Sequence, residues 1–272
     1  MIFNKSIEKI SPYKPGMREE EIKEKNKLEK VIKLASNENP YGPSEKINTV
    51  FKDISNIERY PDNNCTNLRN VLANKLKLSE KNFIFGNGSV EIIQMISRVM
   101  IEKGDEVITC TPTFQSYYLE TYIQYGKVKS IPMTNDYKFD LNAIVDNIND
   151  KTKVIYIANP NNPTGTIIKN DELEKFLEKI PKDILIVLDE AYAEFVNDRD
   201  YPNSIELLDK YKNICILKTF SKAYGLANLR IGYGIANEDV ITQFEKVRVP
   251  FNVSTIAEEA AIIAISDEAH FR

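Results

Sequence analysis

Four short stretches of this sequence carry side chains capable of chemistry. The stretch Lys218-Thr-Phe-Ser-Lys-Ala-Tyr-Gly-Leu-Ala-Asn-Leu-Arg230 sets Lys222 among two hydroxyls, Thr219 and Ser221, and one arginine. The chain has 28 lysines but only 8 arginines, which makes Arg230 the more informative cation. Two hydroxyl donors and a bidentate guanidinium form a phosphate-binding set. A neighbouring cation and partial desolvation would lower the lysine pKa and make it an imine-forming nucleophile; taken alone, the same residues would serve equally as surface charges. In Ile184-Leu-Ile-Val-Leu-Asp-Glu-Ala-Tyr192 an apolar run ends on Asp189. A carboxylate so near a core needs a partner: a lysine, a helix N-terminus or the cationic ring nitrogen of a cofactor, with Tyr192 a short step along the loop. Asn159-Pro-Asn-Asn-Pro-Thr-Gly165 is a rigid turn that holds Asn161 and Asn162 with little freedom, either to cap backbone or to meet a ligand. Phe85-Gly-Asn-Gly-Ser89 precedes a helical pattern. Its turn is either a tight connection or a cradle of free N–H groups at a positive dipole end. It has neither the third glycine of a dinucleotide loop nor a P-loop lysine.

Together the four stretches hold the parts that pyridoxal phosphate requires. Lys222 is the amine for its aldehyde carbon, and Asp189 the anion that keeps its pyridine nitrogen protonated. Tyr192 and Asn162 can hydrogen-bond the phenolic oxygen. Arg230, Ser221, Thr219 and the Gly88–Ser89 turn can neutralise the phosphate. Phe114, in Thr111-Pro-Thr-Phe114, is either a ring-stacking platform or a core aromatic.

These stretches follow apolar runs rich in Ile, Val and Phe: Asn82–Phe85, Glu106–Cys110, Lys127–Ile131, Lys153–Ala158, Ile184–Leu188, Ile214–Lys218 and Ile231–Ile235. The runs lack period-two alternation, as strands of a sheet covered on both faces do. Helical patterns at Val90–Ile101, Thr113–Tyr125, Leu141–Ile148 and Asp171–Ile180 alternate with them, and another spans Ser254–Ile265. The fold expected is α/β, with a mostly parallel central sheet flanked by helices. Such sheets bind ligands beyond the carboxyl ends of their strands, where six of the ten glycines cluster. Glu19–Lys33 alternates acid and base like a solvated helix or arm, and Leu34–Ser44 is dense in turn formers.

Composition narrows the chemistry. The 272 residues, 42% hydrophobic and 28% charged, can bury a sizeable core. A net charge of -4 provides no basic field for nucleic acid or anionic lipid, and no apolar run is long enough to span a membrane. The one histidine, His270, nearly excludes Ser-His-Asp or Cys-His hydrolysis and histidine-ligated zinc. Cys65, Cys110 and Cys215 are far apart and read as reduced thiols of a cytoplasmic protein.

The turn at 159–165, Asp-Glu-Ala-Tyr at 189–192 and the Lys218–Gly234 stretch resemble the fold type I pyridoxal-phosphate aminotransferases. More narrowly, Ser11-Pro-Tyr-Lys-Pro-Gly16, Leu34–Ser44, Arg59-Tyr-Pro-Asp62 and Val247-Arg-Val-Pro-Phe-Asn252 resemble the histidinol-phosphate aminotransferase family. That resemblance implies amino transfer between histidinol phosphate and 2-oxoglutarate in histidine biosynthesis. It implies Lys222 as the imine-forming and proton-shuttling lysine, with Asp189, Tyr192, Asn162, Ser221 and Arg230 on the cofactor. It also implies a homodimer in which Tyr60 reaches the partner's cofactor phosphate. The chain departs from the family pattern at Val90, usually acidic there, and at Asn228, commonly glycine. Family members also run on past residue 272, and that part supplies an arginine for the substrate's anionic group. The resemblance thus implies residues 1–43 as an N-terminal arm and part of a small domain, 44–252 as the large cofactor domain, and 253–272 as the start of a truncated small domain. A threonine-phosphate decarboxylase or an aromatic or broad-range aminotransferase needs the same ring chemistry, and a truncated, non-catalytic cofactor binder would keep the same residues.

Overall fold

The structure, a computed structural model, describes residues 4–12, 16–52 and 55–271; Tyr13, Lys14 and Pro15 of the N-terminal motif lie outside the described residues. Its strands are β1 (Phe83–Gly86), β2 (Glu106–Thr111), β3 (Lys127–Pro132), β4 (Thr152–Ala158), β5 (Leu185–Asp189), β6 (Ile214–Thr219) and β7 (Gly232–Ala236). They form one sheet in the order β1-β7-β6-β5-β4-β2-β3. Every neighbouring pair is parallel except the two that β7 makes, with β1 and with β6. Six strands therefore point the same way, and the loops after β1, β2, β4, β5 and β6 and before β7 meet at one end of the sheet.

The helices are α1 (Glu19–Asn26), α2 (Asn48–Lys52), α3 (Thr66–Leu76), α4 (Ser89–Met100), α5 (Ser116–Ile123), α6 (Leu141–Asp146), α7 (Asn170–Leu177), α8 (Ser204–Lys210), α9 (Glu238–Glu245), α10 (Thr255–Ser266) and α11 (Glu268–Phe271). Central strands alternate between two cores. Ile155, Ile157, Ile186, Leu188, Ile214 and Ile216 join the core shared with α3, α7, α8 and α10. Val154, Tyr156, Leu185, Val187, Cys215 and Leu217 join the one shared with α4, α5 and α9. Burial on both faces is why these runs show no polar alternation.

Helix limits differ from the sequence expectation by a few residues, for local reasons. α10 starts at Thr255 because Ser254 is its N-cap, its hydroxyl accepting from the Ala257 amide at 3.2 Å. α5 starts only at Ser116 because Thr113 is held in the preceding loop, its hydroxyl donating to Asn161 Oδ1 at 2.8 Å. α1 buries no residue, in keeping with its charge pattern. The turn-rich segment after it is irregular, with Ser36 and Asn37 at φ of 70° and 49°. It lies against the loop after β6, where Asn39 Nδ2 donates to the Ala223 carbonyl at 2.9 Å. A side chain at Gly225 would meet the Gly42 backbone at 2.7 Å.

Candidate active site

The loops at the carboxyl end of the sheet enclose a cavity of ≈ 460 Å³. Of the residues singled out in the sequence, Ser89, Phe114, Asn162, Asp189, Tyr192, Thr219, Ser221, Lys222 and Arg230 line it. Gly88 lies against this wall: a Cβ there would collide with Arg230 Nη2. Tyr60 is elsewhere, 81% exposed and stacked on Phe251 at 4.6 Å between ring centroids.

Asp189 ends β5 and is buried. Each carboxylate oxygen has one donor. Oδ2 accepts from the Tyr117 hydroxyl at 2.6 Å, and Oδ1 from the Ala191 amide at 3.1 Å. Burial raises its pKa above the usual carboxylate range, while these two donors pull it back down. Its partner is thus a tyrosine from α5, not the lysine or helix terminus considered from sequence.

Lys222 is half-buried in the loop after β6, and its Nζ donates to the Ser36 carbonyl at 2.8 Å. The ammonium also stands 5.6 Å from the centre of the Tyr192 ring. Burial lowers its pKa below the ordinary lysine value; Glu38 and Asp189 oppose that shift, and Arg230 adds to it. The Tyr192 hydroxyl accepts from Asn37 Nδ2 at 2.9 Å, and burial raises its pKa.

The anion cradle lies on the far side. α4 begins at Ser89 directly after Gly88, at φ 77°, and no side chain caps its first turn. Its leading amides are therefore open to an anion. Glu91 braces the turn by accepting from the Asn87 amide at 2.6 Å and from Asn252 Nδ2 at 2.7 Å. Arg230 Nη1 donates to Ser221 Oγ at 3.3 Å and to the Ala227 carbonyl at 3.0 Å. Among the described residues no carboxylate pairs with Arg230, and neither the Ser89 hydroxyl nor the Asn162 amide has a side-chain partner. An unpaired guanidinium, open helix amides, an aromatic wall at Phe114 and a buried carboxylate fit a planar cation that carries a phosphate. The residues present therefore fit pyridoxal phosphate.

Three polar cavity residues were not picked out from sequence: Tyr117, Ser36 and Asn37. Asn161, adjacent to Asn162, is a structural residue here: its amide donates to the Pro112 carbonyl at 3.1 Å and to Thr164 at 2.9 Å, docking the loop that carries Phe114. Outside the cavity lining, Lys218 bridges Glu190 at 3.0 Å and Glu194 at 3.3 Å. Burial lowers its pKa, and the two carboxylates more than reverse that, leaving it well above the ordinary value.

A seven-stranded, mostly parallel sheet with an amine, a buried acid and an anion cradle at its carboxyl end is the arrangement of a pyridoxal-phosphate transferase. The chain belongs to the class I and II aminotransferase family, whose sequence profile matches residues 29–272. It is 48% identical over 270 residues to the histidinol-phosphate aminotransferase of Caldicellulosiruptor saccharolyticus, covering 99% of this chain and 75% of that protein. Against the histidinol-phosphate aminotransferase of Bacillus subtilis strain 168 it is 46% identical, with the same coverage. The crystal structure of the Sinorhizobium meliloti histidinol-phosphate aminotransferase in complex with pyridoxal-5'-phosphate superposes with a TM-score of 0.89 at 28% identity, over 99% of this chain and 72% of that one.

Proposed function

We propose that this chain is an aminotransferase that moves an amino group between histidinol phosphate and 2-oxoglutarate in histidine biosynthesis, with pyridoxal 5'-phosphate as cofactor. One observation carries the reading: an amine, a buried carboxylate and an anion cradle line a single cavity. Pyridoxal phosphate, when bound, supplies a carbonyl that takes and returns an amino group and a ring that accepts electron density from the substrate α-carbon.

The chain's own residues bind, orient and move protons. The α4 N-terminus at Gly88–Ser89, with Thr219, Ser221 and Arg230, would hold the phosphate. Phe114 would cover one ring face, and Tyr192 and Asn162 would hold the phenolic oxygen. Asp189 would face the pyridine nitrogen; a cation there offsets the cost of keeping so buried a carboxylate charged. Lys222 Nζ, released from the Ser36 carbonyl, would carry the proton to and from the substrate α-carbon. Its lowered pKa leaves more of the amine free to act as a base near neutrality.

The working form in this reading is a cytoplasmic homodimer. Tyr41, Ile57 and Tyr60 are 91%, 84% and 81% exposed, large apolar side chains that a second copy would cover. Tyr60 would then reach the partner's cofactor phosphate. Three buried free cysteines suit a reducing compartment. Residues 1–43 and 253–272 would contribute to a smaller second domain.

The test is reconstitution with pyridoxal phosphate, borohydride reduction and peptide mass analysis, followed by the half-reaction with histidinol phosphate read from the cofactor's absorbance. The label is expected on Lys222, absent in Lys222→Ala, and histidinol phosphate is expected to convert the cofactor to its amino form. Label on another lysine would remove the Lys222 assignment. Carbon dioxide release from threonine phosphate without amino transfer would remove the aminotransferase reading.

A further inference from the structure

The buried polar residue that the cavity uses and the sequence did not disclose is Tyr117. Its ring is fully buried, stacked on Tyr156 at 4.4 Å and 8°, with Phe114 edge-on at 5.6 Å. Stacking fixes the ring, so the hydroxyl is held in one direction, 2.6 Å from Asp189 Oδ2. Resting on the cofactor reading above, we propose that Tyr117 is a positioning residue for Asp189. Its hydroxyl keeps the carboxylate ionised and oriented toward the cavity, ready for a cationic ring.

The other groups facing Asp189 do not perform this role. Glu190 is its neighbour in the chain, and β6 brings Cys215 and Lys218. Lys218 is engaged by Glu190 and Glu194. Tyr156 approaches from β4, Tyr192 from the loop after β5, and Lys222, bound to the Ser36 carbonyl, from the loop after β6. Among the described residues only Tyr117 and the Ala191 amide donate a hydrogen bond to the carboxylate. A donor stabilises the ionised acid more than the protonated one. Removing it makes Asp189 harder to ionise, and an acid that has taken up a proton cannot pair with a pyridinium.

The experiment titrates the full cofactor-free chain with pyridoxal phosphate across pH, comparing wild type, Tyr117→Phe and Tyr156→Phe. The cofactor's own titrations are common to all three proteins and cancel in the ratios. Tyr117→Phe is expected to bind about tenfold more weakly than wild type at the acid end and equally at the alkaline end. Tyr156→Phe, which keeps the stack and has no hydroxyl on Asp189, should follow wild type throughout. A carbon-13 titration of the Asp189 carboxyl in the cofactor-free chain should move to higher pH in Tyr117→Phe only. Equal weakening at every pH, as a merely structural residue would give, or no weakening with an unmoved carboxyl titration, would overturn the assignment. Failure of the wild type to take up cofactor at any pH would overturn the cofactor reading, and the carbon-13 titration would still decide the Tyr117–Asp189 contact.

Discussion

Replacing Gly232 with alanine tests whether the cradle is built by backbone packing. Gly232 opens β7 opposite both Gly86 of β1 and Thr219 of β6, so the cradle turn rests on its α-carbon. A Cβ there would lie 2.6 Å from the Ser89 amide nitrogen, 2.9 Å from the Lys218 carbonyl oxygen and 3.0 Å from the Gly88 carbonyl carbon. All three are backbone atoms in the sheet or its turn, so none can rotate away. Ordinary contact begins near 3.4 Å, so the Ser89 amide must retreat by about 0.8 Å. Overpacking of this kind costs roughly 1–3 kcal/mol of stability. Displacing one amide that would donate to a charged phosphate costs a further 1.5–3 kcal/mol or so in affinity, about 10- to 150-fold. Urea denaturation of the cofactor-free chain and pyridoxal phosphate titration would read the two losses separately. Gly165→Ala is the control: it lies at φ 70° with nothing within 4 Å, so it should lose about 1–2 kcal/mol of stability through backbone strain and little affinity. Gly232→Ala with wild-type cofactor affinity would refute the packed-cradle account.

Glu258, buried on α10, accepts from the Leu68 amide at 3.2 Å in the first turn of α3. Glu258→Ala should cost about 1–3 kcal/mol by urea denaturation, and Glu258→Gln, which keeps the acceptor, distinctly less. Lys222 should react with an amine-directed reagent with a pH midpoint below that of a free lysine, and Glu38→Gln should lower the midpoint further, because the Glu38 charge raises it. A depressed lysine pKa means that the unfolded chain binds the proton more tightly, so Lys222 costs stability in full below its folded pKa and no longer does so above its unfolded one. A midpoint at or above the free value, read by peptide mass analysis, would contradict this.

What the sequence disclosed and what it concealed divide along a physical line. The strands were legible because Ile184–Leu188 and Ile214–Leu217 are buried on both sheet faces, which leaves an unbroken apolar signal. Asp189 was legible because a charge at the end of such a run demands an explanation, Lys222 and Arg230 because they share one short stretch with two hydroxyls in a chain poor in arginine. Tyr117 was not, because on α5 it sits among Tyr118, Phe114 and Tyr122 and reads as one more core aromatic. Its partner is 72 residues away, and only the packing of α5 against the sheet brings the two together. Asn37 was hidden for the same reason: it reaches the Tyr192 hydroxyl across 155 residues, from a segment whose turn formers signal only irregular backbone.

The Lys218–Glu190–Glu194 cluster carries that logic one step further. Lys218 lies one residue before the end of β6, and Glu190 one residue past the end of β5. Their contact at 3.0 Å ties together the ends of two adjacent parallel strands, one leading into Asp189 and the other into Thr219 and Lys222. A buried ion pair adds little net stability against an apolar replacement, yet breaking it leaves an unpaired charge and costs several kcal/mol. Its main effect is therefore to fix how the two loops stand relative to each other. The two loops that carry the acid and the amine of the site are thus tied together by charges that do not line the cavity. No local motif encodes that tie, because it depends on which strands the sheet makes neighbours.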